Sequence, residues 1–125
     1  MHVIISTSSA PAAVGPYAQA VAVGGMVFLS GQLPIDPETG DFPPGGVQAQ
    51  ARQCLENIKA VLQKSGLSMD HIVKTTVFLQ DMKDFSAMNE VYASYFSQGH
   101  FPARSAVQVA ALPKQALIEI EAVAM

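Results

Sequence analysis

Two short apolar segments near the C-terminus most constrain what this chain can fold into. Each has a charged residue inside a strand-like pattern. Ala103–Val109 contains Arg104, one of only two arginines, and Leu117–Val123 contains Glu119. Side chains alternate along a strand, so Arg104 should share a sheet face with Ala106. Burying a guanidinium is costly unless a partner meets it, and its rigid fork of donors suits a carboxylate. The pattern therefore predicts that Arg104 pairs either with Glu119 or with the carboxylate of a small ligand.

Glu119 stands between two isoleucines of its predicted strand, where β-propensity disfavours an acidic residue. Glu121 points to the same face, and the spacing alone does not choose between the two. Taken alone, the pair is most simply the solvated face of a strand. The functional alternative is a partly buried carboxylate of raised pKa that positions a water molecule and removes a proton from it.

The whole chain carries strand and helix signals in the order β-β-β-α-β-α-β-β, which predicts an α+β fold with a mixed sheet. The predicted strands are Val3–Ser6, Ala18–Val23, Met26–Ser30, Ile72–Leu79, Ala103–Val109 and Leu117–Val123. Gly24-Gly25 is typical of a two-residue hairpin loop between the second and third strands. One helix covers Val47–Ser65, and a second begins within Asp81–Asp84. The apolar stripe of the second helix is predicted to consist of Phe85, Met88, Tyr92 and Phe96.

Two helices are enough to cover one face of such a sheet, so the other face must meet water or another subunit. Of the 125 residues, 50% are hydrophobic and 14% are charged, a surplus of apolar residues that predicts a buried interface between copies of the chain. The net charge is −3 and the seven basic residues are scattered, so no nucleic-acid partner is expected.

The single cysteine, Cys54, lies on the apolar stripe of the first helix and fits a core residue in a reducing compartment. No apolar segment is long enough for a membrane span, and the N-terminal run Val3–Ile5, with no positive charge before it, is too short for a signal peptide. We therefore expect a cytoplasmic protein without a membrane partner.

The sequence contains no His, Cys and carboxylate spacing typical of a metal site, no phosphate-binding glycine loop and no Ser–His–Asp pattern. This predicts a site that uses neither a metal nor a cofactor. Ser30-Gly31 closes a predicted strand, either as a turn or as a point where a ligand approaches the backbone. Tyr17 is either a packed loop aromatic or a hydroxyl that closes a pocket, and Asn89 lies beside the stripe of the second helix.

Taken together, these segments resemble the RidA/YjgF family of 2-iminobutanoate/2-iminopropanoate deaminases, once labelled L-PSP endoribonucleases or translation inhibitors. The most specific part is Phe101–Ser105 followed by Ile118–Glu121. The earlier matching segments are Ala10–Tyr17, Ser30–Pro34, Gln50–Gln53, Val73–Leu79, Asp84-Phe85, Asn89 and Tyr92. The resemblance implies one RidA-like domain over residues 1–125, with a chorismate-mutase-like α+β fold, two helices on one face of the sheet, and a homotrimer with sites between subunits.

The resemblance implies hydrolytic deamination of reactive 2-imino acids, formed from 2-aminoacrylate and 2-aminocrotonate, to 2-keto acids and ammonia without a cofactor. It implies Arg104 as the anchor of the substrate carboxylate and Glu119 as the residue that holds the attacking water. The positions that match the substrate-binding pocket of the family are Tyr17, Ser30, Gly31 and Asn89. The family often has cysteine at the position of Ala106, so a thiol role is absent here while the backbone N–H remains available to a ligand.

Two other classes of function remain open from the sequence. One is a non-enzymatic trimer that binds 2-keto acids or protects other proteins as a holdase. The other is an endoribonuclease, which the acidic net charge disfavours.

Overall fold

The computed structural model describes residues 1–125 and contains one six-stranded sheet. Its strands are β1 (Val3–Ile5), β2 (Ala20–Val23), β3 (Met26–Gln32), β4 (Ile72–Leu79), β5 (Ala103–Gln108) and β6 (Ile118–Ala124). The helices are α1 (Gly46–Lys64) and α2 (Phe85–Ala93), with three short 3₁₀ turns, Met69–His71, Met82–Asp84 and Pro113–Gln115. The order of the elements confirms the predicted α+β fold.

The strands lie side by side in the order β1-β2-β3-β6-β4-β5. β4 and β5 run parallel and all other neighbours are antiparallel, so the sheet is mixed. The parallel pair is joined through α2, as parallel strands require a crossover of this kind. This topology makes β5 an edge strand and places β6 in the interior of the sheet.

The predicted Gly24-Gly25 hairpin is confirmed. Val23 pairs with Met26, which leaves a loop of two residues. Both glycines have positive φ, 57° and 79°, as the favoured two-residue hairpin turn requires. The turn therefore fixes the register of β2 against β3.

A β-bulge interrupts the pairing of β3 with β6. Leu29 pairs with Ala122 and Gln32 pairs with Ile120, so Ser30-Gly31 oppose a single residue of β6. The prediction that Ser30 closes this strand is therefore wrong, because the strand continues through the bulge to Gln32. Bulges redirect side chains and are frequent beside functional sites.

Both helices pack on one face of the sheet. In α1, Leu55, Ile58 and Leu62 are fully buried against the core, as the helical spacing predicts. Cys54 is buried on the same stripe, and burial raises the pKa of its thiol well above the usual value. Its environment is that of an inert core residue.

The predicted stripe of α2 is correct for Phe85, Met88 and Tyr92, but the helix ends at Ala93, before Phe96. Phe96 nevertheless packs on the core, with its ring centroid 4.9 Å from that of Tyr92. The chain turns out of the helix while keeping this aromatic contact.

The opposite face of the sheet is covered by neither helix, and we call this surface the open face. Phe28, Val73 and Val107 are 42%, 44% and 44% exposed there, among polar side chains that include Glu119 and Glu121. Along β6, Ile118, Ile120 and Ala122 are buried on the helix-covered face, and Glu119 and Glu121 share the open face, as the spacing of the two glutamates predicts. None of the helices combines the length and the apolar character needed to cross a membrane.

Candidate active site

Arg104 lies on the helix-covered face of the edge strand β5. It pairs in register with the buried Thr75 of β4. Its guanidinium carbon lies 4.8 Å from the ring centroid of Tyr92 and 5.3 Å from that of Phe85. Its Nη1 donates a hydrogen bond of 2.7 Å to Oδ1 of Asn89. Helix α2 therefore contacts the cation through two aromatic rings and one amide oxygen.

No carboxylate of this chain pairs with Arg104. The only ion pair within 4.0 Å joins Lys83 and Asp81 at the surface. Asn89 accepts from one of the five guanidinium donors, and no other side-chain hydrogen bond involves this group. A half-buried cation without a counter-ion is unfavourable, so this arrangement suits an anionic ligand. The alternative that Glu119 neutralises Arg104 within one chain is excluded.

A cleft of about 400 Å³ opens in front of this guanidinium. Its lining residues are Asn89, Tyr92, Ala93, Phe101, Pro102 and Arg104. Ala106 lies two residues along β5 on the same face, in register with Val77. We call Phe85, Asn89, Tyr92, Arg104 and Ala106 the arginine half-site.

Glu119 lies on the other face of the sheet. It pairs with Phe78 of β4, whereas Arg104 pairs with Thr75, three residues earlier on the same strand. Paired residues share a face and successive residues alternate, so the side chains of Arg104 and Glu119 point to opposite faces. The two predicted catalytic residues therefore do not meet around one small ligand within a single chain.

The carboxylate of Glu119 lies against Gly31. A Cβ atom built on Gly31 would collide with Oε2 of Glu119 and would lie 3.0 Å from its Cδ. Glycine at position 31 therefore leaves room for the carboxylate, and a larger residue there would displace the flexible end of the Glu119 side chain. The sequence left open either a turn or a point of ligand approach at this position, and the structure has a β-bulge here with the Glu119 carboxylate against the glycine.

Two effects raise the pKa of Glu119 above its ordinary value. Partial burial is the larger cause, and the negative charge of Glu121 is the second. Glu121 itself is exposed on the open face. A carboxylate with a raised pKa is a better general base near neutral pH, so the environment of Glu119 suits that task.

Tyr17 and Ser30 lie near Gly31. The Tyr17 ring is 52% exposed, and together with Gly31 it lines a second pocket of about 400 Å³. The Ser30 hydroxyl donates a 2.6 Å hydrogen bond to the Ala18 carbonyl, which ties the bulge to the preceding loop. We call Tyr17, Ser30, Gly31 and Glu119 the glutamate half-site.

The predicted site residues thus fall into two groups that the single chain keeps apart. The sequence pattern assigned Phe85 and Tyr92 only to the core, yet both contact the guanidinium. The signal was present in their spacing, because residues 85, 89 and 92 share one helix face. No group of three or more His, Cys, Asp or Glu side chains is arranged to hold a metal ion.

Known proteins are similar to this sequence over nearly its whole length. The model of the family "Endoribonuclease L-PSP" matches residues 7–125. The mouse 2-iminobutanoate/2-iminopropanoate deaminase is 51% identical over 122 residues, covering 98% of this chain and 90% of the relative. The Escherichia coli protein of the same name is 50% identical over 127 residues, covering 100% of this chain and 98% of the relative.

Solved structures agree closely with this fold. The Rid-family protein YyfA from Yersinia pestis has a TM-score of 0.96 at 48% identity, covering 99% of this chain and 98% of that chain. Escherichia coli TdcF, solved with bound serine, has a TM-score of 0.92 at 51% identity, covering 98% of both chains. These similarities extend over essentially the whole chain.

The raised pKa of Glu119 predicts a specific dependence of stability on pH. The folded chain holds this proton more tightly than the unfolded chain, so the free energy of unfolding should fall as pH rises from the ordinary glutamate pKa through the raised one. Chemical unfolding at several pH values should show this decline, and Glu119→Gln should reduce it. Titration of the Glu119 carboxyl by ¹³C NMR should give a raised pKa, which Glu121→Gln lowers. An ordinary value in the folded protein would contradict the assignment.

Proposed function

Since the chain belongs to the endoribonuclease L-PSP family, we propose that it is a deaminase that hydrolyses reactive 2-imino acids to 2-keto acids and ammonia. Relatives at about half identity over nearly their full length bear the name 2-iminobutanoate/2-iminopropanoate deaminase. The observation that carries the proposal is the Arg104 guanidinium, which lies half-buried beside an open cleft without a carboxylate partner. A 2-imino acid supplies the missing anion.

Substrate binding begins with the carboxylate. Arg104 receives it edge-on with the donors that Asn89 does not use, and this fixes the neighbouring imine carbon in position. Arg104 stays protonated throughout, so it acts as an anchor and transfers no proton. The backbone N–H of Ala106, on the same strand, is a further donor for a ligand oxygen.

The chemical step is addition of water to a protonated imine. Glu119 holds a water molecule and takes one of its protons as the oxygen attacks the imine carbon, which gives a carbinolamine. The carboxylic acid then returns the proton to the nitrogen, and the C–N bond breaks as the carboxylate of Glu119 takes the proton of the carbinolamine hydroxyl, which gives the 2-keto acid and ammonia. Glu119 passes this last proton to the departing ammonia, which leaves as ammonium, and the carboxylate is restored. The protonated imine is already electrophilic, so two well-placed groups suffice for the acceleration.

The two half-sites must come from different copies of the chain. Arg104 and Glu119 lie on opposite faces of one sheet, and the open face carries exposed apolar residues such as Phe28, Val73 and Val107. We propose that this face is buried in a homotrimer with a chorismate-mutase-like subunit fold. Each site then takes Arg104 from one subunit and Glu119 from its neighbour.

Ribonuclease activity, which the family name suggests, is disfavoured. The chain has a net charge of −3 and no run of basic residues to neutralise several phosphates. RNA cleavage by the same preparation is therefore a useful companion measurement, and we expect none after rigorous removal of contaminating nucleases.

Replacing the anchor should abolish catalysis. Arg104→Ala removes the only charge that binds the substrate carboxylate, so imine hydrolysis should fall by about 100-fold or more. The assay generates 2-aminoacrylate with a serine dehydratase and follows pyruvate with and without the protein. Arg52→Ala, at the exposed arginine of α1 and the only other arginine of the chain, is the matched control and should keep the wild-type rate. A near wild-type rate for Arg104→Ala would refute the anchor.

Glu119→Gln tests the role of the carboxylate separately from binding. The amide keeps the shape of the side chain but cannot take a proton from water, so turnover should fall by about 100- to 10,000-fold. Binding of the product 2-ketobutyrate, measured by calorimetry, should be largely retained. Glu121→Gln should lose far less activity. The reverse ranking would assign the water-holding role to Glu121.

Mixing the two inactive variants tests whether the site is shared. Arg104→Ala and Glu119→Gln chains are unfolded together and refolded at equal amounts, each also being refolded alone as a control. If trimers form at random, roughly three quarters contain both variants, and each of these regains one site of three. Activity should therefore recover to about one quarter of wild type. No recovery in a mixture shown to contain hybrid trimers would contradict sites between subunits.

A further inference from the structure

Tyr92 connects the anchor to the buried centre of the sheet. Its hydroxyl lies 2.7 Å from Oγ1 of Thr75, and its ring centroid lies 4.8 Å from the guanidinium carbon of Arg104. Tyr92 and Thr75 are 4% and 0% exposed, whereas Arg104 is half-buried. Tyr92 therefore contacts Thr75 through its hydroxyl, while its ring lines the cleft beside Arg104.

The hydrogen bond to Thr75 restricts the Tyr92 ring. Both hydroxyl groups lie in an apolar interior, where neither finds water as a substitute partner, so rotation of the ring out of this contact is unfavourable. Thr75 belongs to β4, which β5 and β6 flank on both sides. The ring is thus held by an interior strand of the sheet as well as by its own helix.

The ring in turn restricts the guanidinium. A cation over an aromatic face is attracted by the ring, and Phe85 adds a second ring at 5.3 Å. These ring contacts use none of the guanidinium N–H groups in a hydrogen bond, and a carboxylate binds those N–H groups edge-on. With Nη1 bonded to Asn89, rotation within the plane is limited as well. The remaining edge donors are therefore left for a ligand.

We propose that Tyr92, held by Thr75, is a positioning residue that keeps Arg104 oriented for the substrate carboxylate. This inference rests on the proposed function for its substrate, but its central claim concerns binding of a carboxylate and is measurable without turnover. Tyr92 does not itself transfer a proton or contact the reacting carbon. If Tyr92 only packed the core, its variants would lose stability but keep their affinity for 2-ketobutyrate.

Four variants separate positioning from packing. Tyr92→Leu removes the ring and the hydroxyl, Tyr92→Phe keeps the ring but loses the hydrogen bond, and Thr75→Val removes the other partner of that bond. Tyr95→Phe is the matched control, because the Tyr95 hydroxyl bonds to Glu56 away from the cleft. Each variant is checked for thermal stability and for the oligomeric state of wild type.

The decisive measurement is the dissociation constant for 2-ketobutyrate, with KM and kcat for imine hydrolysis beside it. Tyr92→Leu should weaken 2-ketobutyrate binding by about 10-fold and raise KM more than it lowers kcat. Tyr92→Phe and Thr75→Val should each weaken binding by about 2- to 5-fold. The variant that combines these two substitutions should weaken binding by no more than either one alone, since both remove the same bond. Tyr95→Phe should match wild type.

The outcomes separate this proposal from the proposed function. A folded Tyr92→Leu protein of lowered stability and unchanged affinity for 2-ketobutyrate would overturn the positioning role. If Tyr92→Leu does not fold, unchanged affinity in Thr75→Val would overturn it equally. Wild-type protein that binds 2-ketobutyrate without hydrolysing imines, and loses affinity in Tyr92→Leu, would contradict the deaminase and still support positioning. Wild-type protein that does not bind 2-ketobutyrate would overturn both.

Discussion

The alternation of side chains across β-strands is the constraint on which this molecule depends. β4 pairs Thr75 with Arg104 on one side and Phe78 with Glu119 on the other, an odd separation that sends the two charges to opposite faces. Shifting the register of β6 by one residue would bring Glu119 to the face that carries Arg104, but it would also turn the buried residues of β6 outward. The packing of the core therefore keeps the two charges on opposite faces, so a single chain does not bring them together around one ligand.

The two half-sites use different physical means to prepare a charged group. Arg104 is stabilised by aromatic faces and an amide oxygen, which lower the cost of burial without neutralising the cation. Glu119 is instead made more basic by burial and by the nearby Glu121. One group remains charged and in need of an anion, while the other is prepared to exchange a proton. This division matches the separate needs of binding and of water activation.

Local signals explain how much of the fold was predictable from the sequence. β4 agrees with its predicted bounds, and Gly24-Gly25 marks the hairpin, because both depend on neighbouring residues. The continuation of β3 through its bulge and the early end of α2 before Phe96 depend on distant strands and on the core. For the site, residue types predicted Arg104, Glu119 and Gly31, but not the contact of Glu119 with Gly31 or the rings under the guanidinium. These follow from register and packing, which local sequence does not encode.

The close approach at the bulge couples two positions that lie far apart in the chain. The space that a side chain at residue 31 would need is filled by the acid of residue 119. A methyl group at the first position would therefore push aside the flexible end of the acid at the second, and the carboxylate would no longer rest against the backbone of the bulge. A substitution at a residue without a side chain would in this way move a charged group on a neighbouring strand.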